Sequence, residues 1–305
     1  MHIPDGFLEP KVWVPLTVLS AGAVVSASKK IGKKMDEKMV PLMGVLAAFV
    51  FAAQMVNFPI GGGTSGHLMG GVLIATIVGP YGGLVIMATI LILQALLFQD
   101  GGITALGANI FNMGIVGAVF GYIVFRGINK FTGNIRFSLF TASWFSVVAA
   151  SGAAAVELSL SKVVPITLSA PAMLGIHSII GIGEGAVTIA ALDLVSRVGG
   201  DTVFASEVTV EKRITKKAIW IWLALSIGVA MLLAPFASQL PDGLEKVAET
   251  LGFIERGSSN FSSPLPDYRI PGLSGGISTA MAGIIGVLVT FGLAYMIVRI
   301  LHRKR

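Results

Sequence analysis

The sequence contains no cysteine and few charged residues. Asp, Glu, Lys and Arg together make up 12% of its 305 residues, about half of the roughly 25% typical of soluble domains. Without thiols the chain can form neither disulfides nor thiolate centres, so nitrogen and oxygen atoms must hold any bound metal. Hydrophobic residues reach 54%, which leaves most helices without a polar face and excludes a soluble globular protein.

The short motifs of several enzyme classes are also missing. Gly32-Lys33-Lys34 lacks the upstream glycine and the Ser or Thr of a nucleotide-binding loop, and no H-E-x-x-H occurs. The chain alone therefore cannot hydrolyse ATP, is not a zinc protease, and carries no nucleophile–base pair that indicates an enzyme. The segment MHIPDGFLEPK lacks the basic start of a signal peptide, so we expect a mature N-terminus.

Nine apolar segments predict an all-α fold, a polytopic membrane helical bundle of about nine transmembrane helices. Most segments approach the roughly 20 residues that a helix needs to cross a bilayer. A breaker cluster, GPYGG at 79–83, separates the third segment from the fourth, so 67–98 is either one broken helix or a tight hairpin of two. The segments are 12–28, 40–56, 67–79, 82–98, 103–125, 138–158, 170–196, 218–235 and 277–298.

The basic residues favour the hairpin. With nine helices and the N-terminus outside, 17 of the 22 Lys and Arg residues fall on the cytoplasmic side, as the positive-inside rule requires. One broken helix would place the later basic loops opposite the first. The net charge of +6 therefore indicates orientation in the lipid of a prokaryotic plasma (inner) membrane, with a cytoplasmic C-terminus and no nucleic-acid partner. The 17 residues are Lys29, Lys30, Lys33, Lys34, Lys38, Arg126, Lys130, Arg136, Arg197, Lys212, Arg213, Lys216, Lys217, Arg299, Arg303, Lys304 and Arg305.

Composition divides the chain into a Gly- and Ala-rich capture unit of seven helices, a cytoplasmic linker and an accessory unit of two helices: residues 1–198, 199–217 and 218–305. The two helices of the accessory unit flank an external segment, 236–276, that is rich in Ser, Pro and charge. Within this segment Asp242 and Glu245 have the spacing of a capping box. They predict a short amphipathic helix.

The N-terminal dipeptide Met1-His2 is a candidate metal chelate. Its α-amino group, the His2 amide nitrogen and the His2 ring can close two fused rings, of five and six atoms, around one ion. Three coplanar nitrogens favour square-planar Ni(II) or Cu(II) over tetrahedral Zn(II). A histidine at position 2 also occurs by chance, so the dipeptide alone leaves both interpretations open.

His67 lies in a glycine-rich loop, NFPIGGGTSGHLMGG at 57–71, that leads into the third apolar segment. Three consecutive glycines permit backbone conformations that other residues avoid, so the chain can approach a ligand closely. His67 is predicted on the same external side as Met1-His2 and could supply a fourth nitrogen. The alternative is a histidine at a helix start that bonds to nearby backbone.

Further polar residues are candidates for supporting these ligands by hydrogen bonds. His177 and Glu184 are seven positions apart and share a helix face, and a carboxylate within the membrane is costly unless it is paired or functional. They could orient the metal-binding histidines or form a structural pair with each other. Asn57, Asn109 and Asn112 suit either support of the ligands or polar packing, with packing favoured.

Small residues recur every four positions on the first two predicted helices. Such stripes let helices approach each other closely. They predict either packing within the chain or docking on a partner membrane subunit. The stripes are Ala23 and Ala27 on the first helix, and Gly44, Ala48 and Ala52 on the second.

Three segments together resemble a known family. MHIPDGFL at the N-terminus, GGGTSGHLMG around His67 and the segment with His177 and Glu184 look like the substrate-capture subunits of energy-coupling-factor (ECF) nickel and cobalt transporters, the CbiM/NikM family. This resemblance covers residues 1 to about 200. The PDGLE sequence with its two flanking helices resembles the NikN-like accessory subunit of nickel systems, fused at the C-terminus.

The resemblance implies that the Met1 amine, the His2 amide, the His2 ring and His67 hold the ion. It also implies partners, namely a transmembrane coupling subunit and two ATPase subunits that drive release into the cytoplasm. Ni2+ or Co2+ is then the transported substrate, with nickel favoured by the square-planar nitrogen set and by the PDGLE fusion. The alternative is an autonomous proton-coupled secondary transporter of a small solute or metal, with Glu184 as the proton carrier.

Overall fold

The computed structural model describes residues 1–32, 37, 39–199, 216–258 and 261–303, with only the backbone described for 195–199 and 216.

The all-α prediction is confirmed, and the antiparallel strands β1 (Phe58–Gly61) and β2 (Thr64–Gly66) are an addition to it. The helices are α1 (Pro10–Gly32), α2 (Met39–Gln54), α3 (Gly71–Phe98), α4 (Leu106–Thr132), α5 (Ile135–Leu160), α6 (Ile166–Gly199), α7 (Lys216–Leu232), α8 (Gly243–Thr250) and α9 (Gly275–Arg303). Most of the predicted linker lies outside the described residues, as do the predicted basic residues Lys33, Lys34, Lys38, Lys212, Arg213, Lys304 and Arg305.

Seven helices in the described part of the chain are long and apolar enough to cross a membrane, and the protein is an integral membrane protein. Helix α2 is apolar throughout but has only 16 residues. It lies between α3, α7 and α9, which is why almost all of its side chains are buried. Gly44 faces Phe291 of α9, and Ala48 and Ala52 are fully buried. Packing within the chain therefore explains this stripe of small residues.

Helix α3 folds back on itself at Gly79. The φ of 82° and ψ of 164° at this residue break the helix, and glycine adopts such a positive φ at little cost. A Cβ placed on Gly83 would lie 3.0 Å from the Cβ of Ala75, whereas a straight helix separates residues eight apart by about 12 Å. The predicted hairpin is therefore confirmed, with arms at 71–78 and 80–98. Together with α2 and the six other long helices, these arms make up the nine predicted apolar segments within the described residues.

Different segments of the chain meet at the two ends of the bundle. At one end Lys30 donates to the Tyr81 hydroxyl at the turn of the α3 hairpin, 3.0 Å away. A Cβ on Gly32 would lie 3.1 Å from the carbonyl oxygen of Leu301, so the last turns of α1 and α9 meet at this same end. The opposite end gathers the N-terminus, the β1–β2 loop, both ends of the α3 hairpin and the segment between α7 and α9. The candidate metal ligands lie at this second end.

Candidate metal centre

The Met1 amine, the His2 ring and the His67 ring converge at the end of the bundle opposite Lys30. Met1 and His2 are buried, with 7% and 8% of their surface exposed. The Met1 nitrogen lies 3.2 Å from His67 Nε2. The two histidine rings stack, with centroids 5.3 Å apart and planes inclined by 19°. The structure thus brings together the three residues predicted as ligands.

The geometry between the amine and His67 suits a shared ion. His67 Nδ1 lies 3.0 Å from the carbonyl oxygen of Leu68, so Nδ1 carries the proton and the Nε2 lone pair faces the amine. Two nitrogen ligands that bind one metal ion at 90° to each other, with metal–nitrogen bonds of about 2.0–2.1 Å, lie roughly 2.9 Å apart. The distance of 3.2 Å between the Met1 nitrogen and His67 Nε2 is close to this value. In a Met1-His2 chelate the amine and the ring nitrogen are the outer members. A fourth ligand in the same plane neighbours both, as His67 does.

Two carboxylates contact the outer members of this chelate. The Met1 amine donates to Asp242 Oδ2 over 2.5 Å. His2 Nδ1, the ring nitrogen that would close the six-atom chelate ring, lies 3.0 Å from Asp100 Oδ1. An incoming ion must therefore replace one carboxylate contact at each of these two nitrogens.

Burial and proximity set the charges of this cluster. Burial lowers the pKa of His67 to about 3, with further contributions from the positive Met1 amine and from His2, so the ring is neutral near pH 7. Burial alone would raise the pKa of Asp242, but the Met1 amine and the backbone hydrogen bond from Glu245 together outweigh it, and the pKa is lowered. At Asp100 the His2 ring and the Tyr268 hydroxyl together likewise outweigh burial and lower the pKa. Both carboxylates are therefore charged at neutral pH, which favours the approach of a dication.

Asn109 holds the N-terminal segment in place. Its side chain accepts a hydrogen bond from the Ile3 N–H at 2.8 Å and donates to the Ile3 carbonyl oxygen at 3.0 Å. The Gly102 N–H donates to the same carbonyl at 2.9 Å. A Cβ on Gly102 would lie 2.3 Å from the Asp5 nitrogen, so this close approach requires glycine. Asn109 thus supports the ligands through the backbone, one residue beyond His2.

The predicted pair of His177 and Glu184 does not form. Glu184 accepts hydrogen bonds from the backbone N–H groups of residues 69–70, at 2.6 and 2.8 Å. These N–H groups lie just before α3, where a negative charge is favourable. Glu184 therefore fixes the turn that joins His67 to α3. His177 Nδ1 donates instead to the carbonyl oxygen of Met173, 2.8 Å away.

Among the described residues, the side chains of Asn57 and Asn112 form no hydrogen bond with the three ligand residues. Asn112 donates to the buried carboxylate of Glu157, 2.9 Å away, which favours the polar-packing interpretation. Asn57 accepts at its backbone oxygen from the Ser238 N–H and lines a cavity of about 380 Å3. The same cavity is lined by both candidate histidine ligands and by Asp100, so it leads directly to the cluster.

Comparison with known proteins assigns the family. The family described as "Cobalt uptake substrate-specific transmembrane region", CbiM, matches residues 2–202. The chain belongs to the CbiM family. The PDGLE domain family matches residues 216–303. Both resemblances predicted from the sequence are therefore confirmed.

Relatives of this CbiM-family chain match either nearly all of it or about two thirds of it. An Archaeoglobus fulgidus protein, named as a candidate fused nickel transport protein NikMN, is 36% identical over 304 residues and covers 98% of each chain. The fused nickel transport protein NikMN of Rhodobacter capsulatus is 27% identical over 304 residues, covering 94% of this chain and 84% of the relative. A crystal structure of a transition metal transporter superposes with a TM-score of 0.60 at 34% identity, covering 65% of this chain and 94% of the other.

Sequence reasoning missed the residues that surround the ligands of this CbiM-family chain. Asp242 was expected only as a helix cap, and it does cap α8 with a complete capping box that includes Glu245. Its second oxygen binds the Met1 amine, 241 positions away. Gln94 and Asp100, at the end of α3, contact His2 directly. Tyr268 contacts both of them from the segment before α9, and no common spacing links these three residues in the sequence. A polar residue at the end of an apolar segment, as Gln94 is, was the only signal in the sequence.

Proposed function

We propose that this chain captures nickel, in preference to cobalt, on the external side of the plasma membrane and delivers it to an ATP-driven ECF importer. Relatives are named as nickel or cobalt transport proteins. The observation that carries the proposal is the convergence of the Met1 amine, the His2 ring and His67 Nε2 at one buried point. The bound ion is the substrate, and this chain performs no chemistry on it.

Four nitrogens make up the proposed ligand set. They are the Met1 amine, the His2 amide, His2 Nδ1 and His67 Nε2. The Asn109 contacts with Ile3 hold the first two residues beside His67. An all-nitrogen square plane favours Ni(II). The His2 ring lies directly beside the His67 ring, with centroids 5.3 Å apart.

The proposed orientation places the N-terminus outside and the C-terminus in the cytoplasm. The cavity of about 380 Å3 beside the ligands then gives the ion access from outside, with Asp100 and Asp242 drawing a dication towards it. Lys30 and the end of α9 lie at the opposite, cytoplasmic end, in agreement with the positive-inside rule. In the proposed topology the linker, 199–217, is also cytoplasmic.

The proposed partners are a transmembrane coupling subunit and two ATPase subunits. The sequence has no nucleotide-binding loop of its own, so ATP can drive release only through another chain. Nickel uptake by cells should therefore stop when the partner ATPase genes are deleted, while nickel binding to the purified chain persists. Uptake that continues at the wild-type rate without the ATPases would refute the ECF role.

The structure argues against Glu184 as a proton carrier. Both of its oxygens accept backbone hydrogen bonds, which gives the side chain a structural role beside His67. Liposomes that contain only this chain should show no nickel uptake driven by a pH gradient. If wild-type liposomes take up nickel along a pH gradient and Glu184→Gln liposomes do not, the result would favour the secondary transporter instead.

Nickel affinity should fall as the pH falls. The Met1 amine, which is paired with Asp242 as an ammonium group, and the His2 amide must each lose a proton to bind the ion, so protons compete with metal. The expected loss is roughly tenfold per pH unit for every proton released. His67 contributes little, because burial lowers its pKa to about 3 and its ring is already neutral at about pH 5 to 7. Calorimetry in buffers of different ionisation enthalpy counts the released protons, and a count of zero would contradict the ligand set.

A further inference from the structure

Both nitrogens of the His2 ring face oxygen atoms. Nδ1 lies 3.0 Å from Asp100 Oδ1, and Nε2 lies 3.1 Å from Gln94 Oε1. An ion takes only one of the two nitrogens. Only Nδ1 closes a six-atom ring with the His2 amide, whereas Nε2 points away from an ion held there. The proton of the metal-bound ring must therefore remain on Nε2.

Gln94 is held in a single orientation. It is completely buried, and its amide nitrogen donates to Gln54 Oε1 at 2.8 Å and to the Tyr268 hydroxyl at 3.1 Å. Because both N–H bonds are used in this way, the amide oxygen is turned towards His2. Gln94 begins the π-helical turn Gln94–Phe98 at the end of α3, a deformation frequent at functional sites.

Tyr268, a residue of the accessory unit, determines which groups donate and which accept in these hydrogen bonds. Its hydroxyl donates to Asp100 Oδ2 over 2.5 Å, and a hydroxyl has only one proton to donate. The hydroxyl must therefore accept the hydrogen bond that Gln94 donates. Its ring stacks on Phe98 with centroids 4.7 Å apart and planes inclined by 18°, which fixes the position of the hydroxyl.

We propose that Tyr268 is a positioning residue of the metal site, which through Gln94 keeps the His2 proton on Nε2 and leaves Nδ1 for the ion. The inference rests on the proposed function and deepens it. The PDGLE-containing unit then supports both outer members of the chelate. Asp242 contacts the Met1 amine directly, and Tyr268 acts on His2 through Gln94.

Replacing Tyr268 by Phe removes the hydroxyl and leaves the ring in place. Gln94 then loses one of the two acceptors that orient it, and Asp100 loses a donor. Nickel should dissociate from Tyr268→Phe roughly tenfold faster than from the wild type, the factor that corresponds to about one net hydrogen bond. The matched control is Tyr295→Phe on α9, where the ring stacks on Phe291; it should leave the rate unchanged. Both rates are measured on the purified full-length chain by transfer of nickel to a chelator.

A second readout separates positioning from a general effect on the fold. In 15N-histidine-labelled, nickel-bound wild-type protein, the His2 ring should show a hydrogen-bonded N–H at Nε2, and in Tyr268→Phe this signal should move and exchange faster with water. An unchanged dissociation rate would overturn the proposal. A faster rate with an unchanged Nε2–H signal would also overturn it, because Tyr268 would then act only on the fold. Wild-type affinity in His67→Ala would instead overturn the proposed function, so the two failures are distinguishable.

Discussion

Acetylation of the Met1 amine should lower the nickel affinity at least about 100-fold. Binding free energies of about 10–16 kcal/mol for four-ligand zinc sites amount to about 3 kcal/mol per ligand, or roughly 100-fold in Kd. The reaction removes one proposed ligand and also the charge that pairs with Asp242. Competition with a chelator of known affinity, before and after acetylation, measures the change.

The control for this experiment uses nickel as a protecting group. Acetylating reagents also modify lysines, so a second sample is acetylated with nickel bound and is then stripped of metal. Its lysines react equally, whereas its coordinated amine does not. This sample should keep the affinity of the untreated protein. Equal affinities of the two acetylated samples would show that the Met1 amine is not a ligand.

The substitution His67→Ala should weaken nickel binding by roughly 100-fold, the average share of one ligand in four. His67 Nε2 lies beside the Met1 amine and burial keeps its pKa near 3, so the wild-type ring is available as a neutral ligand. Affinity is measured by the same chelator competition.

The matched control is His302→Ala, which removes a histidine at the opposite end of the bundle, in the last turn of α9. It should bind nickel like the wild type. A Kd for His67→Ala within about threefold of the wild-type value would exclude His67 from the ligand set.

Local chemistry made much of the fold predictable. The breaker cluster at 79–83 and the sidedness of the basic residues were enough to predict the α3 hairpin, because a positive φ at Gly79 is a property of one residue. The capping box of Asp242 and Glu245 likewise spans only four positions, and the structure forms it completely. The Met1-His2 chelate is an equally local prediction, since its rings would close within two residues, and it stays a prediction.

Contacts between distant segments were not predictable in this way. A shared helix face shows which side His177 and Glu184 occupy, but not which partners they meet there. For Glu184 the backbone N–H groups of residues 69–70 are better partners than His177, which lies about two helical turns away. Their two hydrogen bonds satisfy both oxygens of the buried carboxylate. The bond between Met1 and Asp242 depends on how the accessory unit lies on the capture unit, which no spacing in the sequence encodes.

The most direct test of the four-nitrogen chelate is the magnetism of the nickel-bound protein. Four nitrogens in one plane favour square-planar Ni(II), which is low-spin, yellow and diamagnetic. The nickel-bound protein should be such a complex, with no paramagnetic shifts in its proton NMR spectrum. A paramagnetic complex with an octahedral absorption spectrum would contradict the ligand plane of Met1, His2 and His67.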